Sequence, residues 1–420
     1  MATIRPFGAI RPSKEMENVI PALPYDVYNR EEARAVVTKE PHSFLAIDRA
    51  ETQFPEDYDM YSREVYDKAR EMLDSWIEDG SFIIEDKPCY YVYELTMDGR
   101  SQTGIVAAAS LDDYVNNVIK KHENTRADKE LDRINHVDIC EAQTGPIFLA
   151  YRANDTINKV VNAKKQETPV YDFTREDKVT HRVWVIDNDN DIATIEKAFD
   201  SINSIYIADG HHRCASAVKV GLKRREENPG YDKNAEFNYF MSVLFPDEEL
   251  MIMDYNRVIK ELNGLSKDEF KLKLKAVFDF GEISDTPIKP GKKGEVAMFI
   301  DDKWQLLTMK DSVKSNDPVD GLDVAVLQKY VLDDILGIKD PKTDKRIDFV
   351  GGIRGLGELE RRVHTDAVVA FAMYPTSIQE LFDVADAGLL MPPKSTWFEP
   401  KLRSGIFIHD ITLRGRKSEK

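Results

Sequence analysis

Cysteine is scarce in this 420-residue chain. Cys89, Cys140 and Cys214 stand far apart. That spacing excludes a disulfide framework and a cysteine zinc site, and leaves three buried, reduced thiols as the expectation. Positive charge is outweighed: 58 Lys and Arg against 75 Asp and Glu give a net charge of −17. The chain therefore lacks the electrostatic footprint of a generic nucleic-acid binder, and nucleic acid is not an expected partner. No stretch approaches the roughly 18 apolar residues that a membrane-spanning helix needs. Residues Met1 to Pro6 carry no apolar signal segment, so a cytoplasmic chain without a membrane partner is expected. Internal repeats and low-complexity tracts are absent as well.

What is present suits a folded core. Hydrophobic residues make up 42% and aromatics 10%, and the length suits two or three domains. Prolines 6, 12, 21 and 24 keep the first thirty residues irregular. Apolar residues at three- and four-residue steps (Tyr61, Val65, Ala69, Met72, Leu73, Trp76) predict a helix over 60–78. Strands are predicted at 89–96 and 103–109, turning at Asp98-Gly99. A helix over about 126–142 follows, then strands at 147–151, 181–186, 204–208 and 237–245. From 262 to 320 the chain becomes lysine-rich, with Pro290-Gly291 and short strands near 295–300 and 304–309. The expected architecture is mixed α/β (α+β). A sheet-centred part over 1–250 carries the main motif, and a smaller lobe over 251–420 contributes to the same cleft.

The densest chemistry lies in Ala208-Asp209-Gly210-His211-His212-Arg213. A β-branched strand precedes it. The residues after it repeat with a helical period, placing Cys214, Ala217, Val218 and Leu222 on one face. The motif therefore sits on a strand-to-helix turn. The first helical N–H groups lack intrahelical partners, and together with the helix dipole they favour an anion. Gly210 permits the tight turn, the histidines add donors, and Arg213 can grip phosphate oxygens with two nitrogens. Asp209 is a poor phosphate ligand and is better placed to orient a histidine or to hold a hydroxyl or Mg²⁺. An N-cap role would explain Asp209 alone but not the whole polar cluster. Zinc is disfavoured: His211 and His212 are adjacent, and Arg126 stands where the helix after His122-Glu123 would need a second histidine.

Three further segments merit attention. Lys121-His122-Glu123-Asn124-Thr125 is a polar knot in which Glu123 could act as a general base. Asp132-Arg133, by contrast, reads as a surface pair. Lys394-Ser395-Thr396 lacks the upstream glycines of a phosphate-binding P-loop, yet makes an anion or small-substrate corner before Trp397, with Lys401 and Arg403 close in sequence. Gly351-Gly352-Ile353-Arg354-Gly355-Leu356-Gly357 lacks the dinucleotide spacing and reads as a turn.

In order, Pro24-Tyr25-Asp26-Val27, His122-Glu123-Asn124-Thr125, Ala208 to Arg213 and Met391-Pro392-Pro393-Lys394-Ser395-Thr396 resemble the family known as domain of unknown function 1015. The resemblance covers nearly the whole chain. The central motif is also similar to the phosphate-binding motif of the ParB/sulfiredoxin-like superfamily, which includes nucleotide-binding partition proteins and free serine kinases. The resemblance implies a ParB/sulfiredoxin-like core and a small-molecule kinase. It would move a phosphoryl group from ATP or ADP, with Mg²⁺, to the hydroxyl of free L-serine. On that reading Gly210, His211, His212 and Arg213 bind the nucleotide's phosphates. Glu123, Asp209 and His211 carry the chemistry, Glu123 standing for the kinases' catalytic glutamate. His122, Thr125, Lys394, Ser395 and Thr396 face the acceptor. A nucleotide-binding regulatory module without kinase activity, and a phosphatase using the same motif, remain as alternatives.

Overall fold

The computed structural model describes residues 1–125 and 127–412. Arg126 and residues 413–420 lie outside the described residues. The chain divides into two compact units, each described by itself. The first holds Met1–Lys120, Asn124–Leu250 and the chain from Pro400 onward. The second holds Lys121–Glu123 and Met251–Glu399.

The first unit is mixed α/β, built on a nine-stranded sheet. From one edge the strands run Ile119–Lys120, Ile205–Asp209, Ile147–Tyr151, Tyr239–Pro246, Arg100–Ser110, Tyr90–Met97, Thr180–Ile186 and Tyr171–Thr174, with Ile4–Arg5 beside Arg100–Ser110. Ile205–Asp209 pairs parallel with Ile119–Lys120, and Tyr239–Pro246 pairs parallel with Ile147–Tyr151. The other pairs are antiparallel. The hairpin at Asp98-Gly99 is tight because both turn residues are left-handed, with φ of 51° and 78°, the geometry that matches strand twist. Tyr90, Val92, Ile105, Ala107 and Leu149 share a core with Ile157, Ile195 and Phe199 from the helices Asp155–Lys164 and Asp189–Phe199. A second core gathers Phe44, Leu45, Trp76, Phe82 and Ile408 around the helix Arg63–Glu78. The three cysteines are buried and form no disulfide.

The helix His211–Glu227 departs from expectation on its outer side. Leu222 is exposed, while Val220 and Gly221 are buried. The rotation follows from close packing at Gly221, where a Cβ would lie 2.3 Å from Leu111 and 2.4 Å from the Phe237 carbonyl oxygen. Only a residue without a side chain lets the helix sit there.

The second unit is a six-stranded antiparallel sheet. Its order is Phe278–Ser284, Lys303–Met309, Glu295–Ile300, Val369–Met373, Tyr255–Ile259 and Ile347–Gly351. Val258, Ala297, Phe299, Trp304, Val350 and Ala370 form its core, closed by Leu359 of the helix Leu356–Thr365. One helix of this unit begins as an α-helix at Asp323–Val326 and continues as a π-helix over Leu327–Asp333. Among the described residues, no helix is long and apolar enough to cross a membrane.

Candidate functional site

The central motif lies on a strand-to-helix turn. Ile205, Tyr206, Ile207 and Ala208 are buried within the sheet, which fixes the end of the strand at Asp209. Gly210 then reverses the chain with φ of 89° and ψ of 32°, a conformation that costs other residues energy. The helix opens at His211, and its hydrogen-bond ladder begins with Cys214 N–H to the Gly210 carbonyl at 2.9 Å. His211 is buried in the first turn and His212 is half-buried.

Arg213 is held more tightly than a surface arginine would be. A Cβ at Gly210 would lie 3.2 Å from its Nε and Nη2, and one at Gly145 would lie 3.7 Å from its Nη1. The guanidinium therefore lies in a slot between two glycines, and Nη1 donates to the Pro146 carbonyl at 2.6 Å. That anchor commits one nitrogen and aims the edge bearing Nε and Nη2 along the Gly210 turn.

Asp209 accepts the Gly210 N–H at 2.7 Å through Oδ1 and pairs through Oδ2 with Lys401 at 2.9 Å. Burial pushes its pKa up, but the Lys401 and Arg213 charges and these two hydrogen bonds outweigh it. They hold the carboxyl well below the usual carboxylate range. A group so stably ionised is a weak base. Its observed work is to fix Lys401 beside the helix start. The lysine also takes the side of Asp209 that a cation would approach, so Asp209 does not fit the role of Mg²⁺ ligand. Among the described residues, no three His, Cys, Asp or Glu side chains converge as a metal site.

Around this turn the first unit assembles groups that the sequence reading left apart. Thr125 donates its hydroxyl to Glu130 Oε2 at 2.7 Å, and Lys219 pairs with the other oxygen of Glu130. Burial opposes ionisation of Glu130, but bonds from Lys219 and Thr125 and the nearby charges of Lys219 and His212 lower its pKa. Arg133 corrects an expectation. It is buried rather than a surface residue, its guanidinium carbon lies 4.0 Å above the Tyr25 ring, and it pairs with Asp132 at 2.9 Å. The segment Pro24-Tyr25-Asp26-Val27 thus reaches the same region, held by Arg49, which donates to the carbonyls of Tyr25 and Tyr28 at 3.1 and 2.8 Å.

The remaining predicted residues fall in the second unit: His122, Glu123, Lys394, Ser395 and Thr396. Two motifs distant in sequence meet there, as Met391 N–H donates to the His122 carbonyl at 2.9 Å. Ser395 donates its hydroxyl to the Pro392 carbonyl at 2.6 Å, and its own carbonyl accepts from Thr376 at 3.0 Å. Both bonds shape the loop. Lys394 is exposed, with a left-handed φ of 59°, and its carbonyl accepts from the buried Arg257 at 3.1 Å. The glycine-rich loop has a packing role, because a Cβ at Gly351 would lie 2.7 Å from the Trp397 ring. The pairing of Lys401 with Asp209, the stacking of Arg133 on Tyr25 and the bond from Thr144 to Asp48 had no local signal in the sequence, since these partners lie 192, 108 and 96 positions apart.

The family model described as protein of unknown function (DUF1015) matches residues 4–325. The chain belongs to this DUF1015 family. The match contains Pro24 to Val27, His122 to Thr125 and Ala208 to Arg213, whereas Met391 to Thr396 lies beyond it. No curated protein matches this DUF1015 chain. Among solved structures it is similar to SbnI with a C-terminal truncation from Staphylococcus aureus, with a TM-score of 0.39 and 11% identity over 71% of this chain and 85% of that one. It is also similar to a mutant free serine kinase in complex with ADP, with a TM-score of 0.37 and 14% identity over 74% and 92% of the two chains. A conserved hypothetical protein from Pyrococcus furiosus scores 0.34 at 16% identity over 72% and 94%.

Proposed function

We propose that this DUF1015 protein transfers a phosphoryl group from a nucleotide, ATP or ADP, to the hydroxyl of a small molecule. Free L-serine is the first candidate acceptor, and O-phosphoserine the expected product. The observation that carries the reading is the Asp209-Gly210 turn, where a helix start, an anchored Arg213 and a Lys401 held by Asp209 gather positive potential at one point. Phosphoryl transfer needs positioning and neutralisation of charge more than covalent chemistry, and this turn supplies both. Gly210, His211, His212 and Arg213 are assigned to the phosphates. Glu123 is assigned to accept the acceptor's hydroxyl proton as the bond from oxygen to phosphorus forms and the bond to the leaving nucleotide breaks. His122, Thr125, Lys394, Ser395 and Thr396 are assigned to the acceptor side. Mg²⁺ is expected as a companion of the nucleotide rather than as a fixed resident of the protein.

The test incubates the purified chain with ATP or ADP, with and without Mg²⁺, and each hydroxyl amino acid, and follows phosphoamino acids by mass spectrometry. Arg213→Met should lower turnover about 100-fold, the scale of losing one charge-stabilising donor. Absence of turnover with every donor and acceptor overturns the reading. Release of phosphate from O-phosphoserine without any nucleotide replaces it with a hydrolase.

A further inference from the structure

The first unit holds a pocket at the end of the strand Ile147–Tyr151 that lies away from the motif. Phe148 pairs with Asp209, and Tyr151 stands farther on, about 10 Å along the strand. The pocket has about 70 Å³ of water-reachable space within roughly 400 Å³ counted to its mouth, room for a few waters or a small organic group. Ile105, Val161 and Pro246 supply apolar lining, Asn158, Glu248 and Glu249 polar lining, and Tyr151 reaches it from the core.

Tyr151 is 1% exposed, and its ring centroid lies 5.1 Å from that of Phe199. Its hydroxyl nevertheless has no hydrogen-bond partner among the described residues and opens onto the pocket. Buried tyrosine hydroxyls normally find a partner, and leaving one unmade is costly. Glu249 is half-buried and accepts the Thr103 N–H at 3.0 Å, while Glu248 accepts the Asn158 amide at 2.9 Å. Neither carboxylate has an ion-pair partner among the described residues. The cations beside them are engaged elsewhere. Lys165 pairs with Glu94 at 2.6 Å and donates to the Thr103 hydroxyl at 2.9 Å, and Arg100 donates to the Glu249 backbone carbonyl at 2.6 Å. Burial pushes the Tyr151 pKa up, and Glu249, Glu248 and Asp247 push it the same way with no cation opposing them. The hydroxyl is therefore neutral and sits in negative potential. Among the described residues, no three His, Cys, Asp or Glu side chains converge here to hold a metal. The donor set instead suits an organic cation with several N–H donors and a short apolar body.

We propose that this pocket binds a primary ammonium group on a short alkyl chain. Glu249 pairs with the charge, the Tyr151 oxygen accepts one N–H, and the chain lies on Ile105, Val161 and Pro246. The site is separate from the motif and does not depend on the phosphoryl-transfer reading. An ammonium brings three donors and no acceptor, which matches a carboxylate beside an unpartnered phenol oxygen. A neutral alcohol would leave Glu249 without a counter-charge, and a quaternary ammonium would bring no hydrogen for Tyr151.

Ligand-observed NMR titration of the full chain with butylamine, butan-1-ol and tetramethylammonium tests this. A probe of this size is expected to bind in the millimolar range. Butylamine should bind at least ten-fold more tightly than the alcohol or the quaternary ion, and KCl at the same concentration should not displace it. Nα-Acetyl-lysine methylamide separates the two sources of such a group: tighter binding than butylamine assigns the pocket to a lysine side chain, weaker binding to a free amine. Glu249→Gln keeps an acceptor for the Thr103 N–H, removes the charge, and should weaken butylamine at least ten-fold. Tyr151→Phe should weaken it several-fold and leave Tm unchanged, since the hydroxyl bonds to no described residue. Should Glu249→Gln fail to fold, Tyr151→Phe decides alone. No binding of butylamine, equal binding of the amine and the alcohol, displacement by KCl, or an affinity untouched in the variant that folds overturns the proposal.

Discussion

At the scale of single residues, Gly210 and Asp323 each carry an unusual constraint. Gly210 combines a left-handed backbone with contact against the Arg213 guanidinium. Gly210→Ala therefore meets two penalties: about 1 kcal/mol or more for the backbone, and displacement of the arginine from its slot. Thermal unfolding should show a moderate loss of stability, while nucleotide affinity should fall about ten-fold or more. An unchanged affinity would detach Arg213 from ligand binding. Asp323 is 8% exposed and accepts the Gly294 N–H at 2.8 Å. Burial pushes its pKa up to about 6, helped by Glu380 and opposed by the Gly294 bond and Lys293. Unfolded, the carboxyl titrates near 4. Folding thus favours the protonated form, whose contribution is complete below about pH 4 and is lost as pH rises through about 6. Asp323→Asn should stabilise the chain by on the order of 2 kcal/mol at pH 8 and leave Tm nearly unchanged at pH 4. Equal Tm shifts at both pH values would contradict this.

At the scale of elements, local periodicity carried much of the fold. The helix Arg63–Glu78 and the strand Ile205–Asp209 lie close to where their apolar spacing puts them. The second hairpin strand starts earlier than expected, at Arg100, because pairing continues down to the turn, Met97 opposite Arg100 and the Thr96 and Ser101 hydroxyls 2.8 Å apart across the strands. Three helices that the periodicity reading did not place open on reciprocal capping boxes: Asn29 with Glu32, Ser266 with Glu269 and Ser377 with Glu380. The candidate site was half legible. Its centre announces itself because turn, anion donors and glycine are consecutive. The pairing of Lys401 with Asp209 and the stacking of Arg133 on Tyr25 were not legible, because contacts formed across a hundred or more positions leave no local pattern. The glycine-rich loop was readable as a turn but not as the seat of Trp397. Gly351→Ala should cost roughly 1–3 kcal/mol by overpacking, with a change in tryptophan fluorescence. Unaltered fluorescence and Tm would show that the indole can move aside.

At the scale of the whole molecule, the first unit is discontinuous, since it is completed by residues that follow the second. His409–Asp410 pairs with Ala142–Gln143, Ile10 and Ile408 exchange two hydrogen bonds of 2.9 Å, and Ile406, Phe407 and Ile408 are fully buried. Losing three such side chains removes on the order of 6 kcal/mol of burial, comparable with the whole stability of many domains. A chain ended at residue 399 should therefore leave the first unit without a cooperative unfolding transition and open to rapid proteolysis between residues 1 and 250. A protected first-unit fragment would contradict this.

The same return of the chain sets a clock during synthesis. Residues 251–399 must be made before the closing segment from Pro400 exists. At a synthesis rate of about 5–20 residues per second, that interval lasts on the order of ten to thirty seconds. Throughout it, Ile10 and Phe44 await the segment that covers them, and Asp209 awaits Lys401. The length of the second unit thus sets how long the nascent first unit must be kept from aggregating.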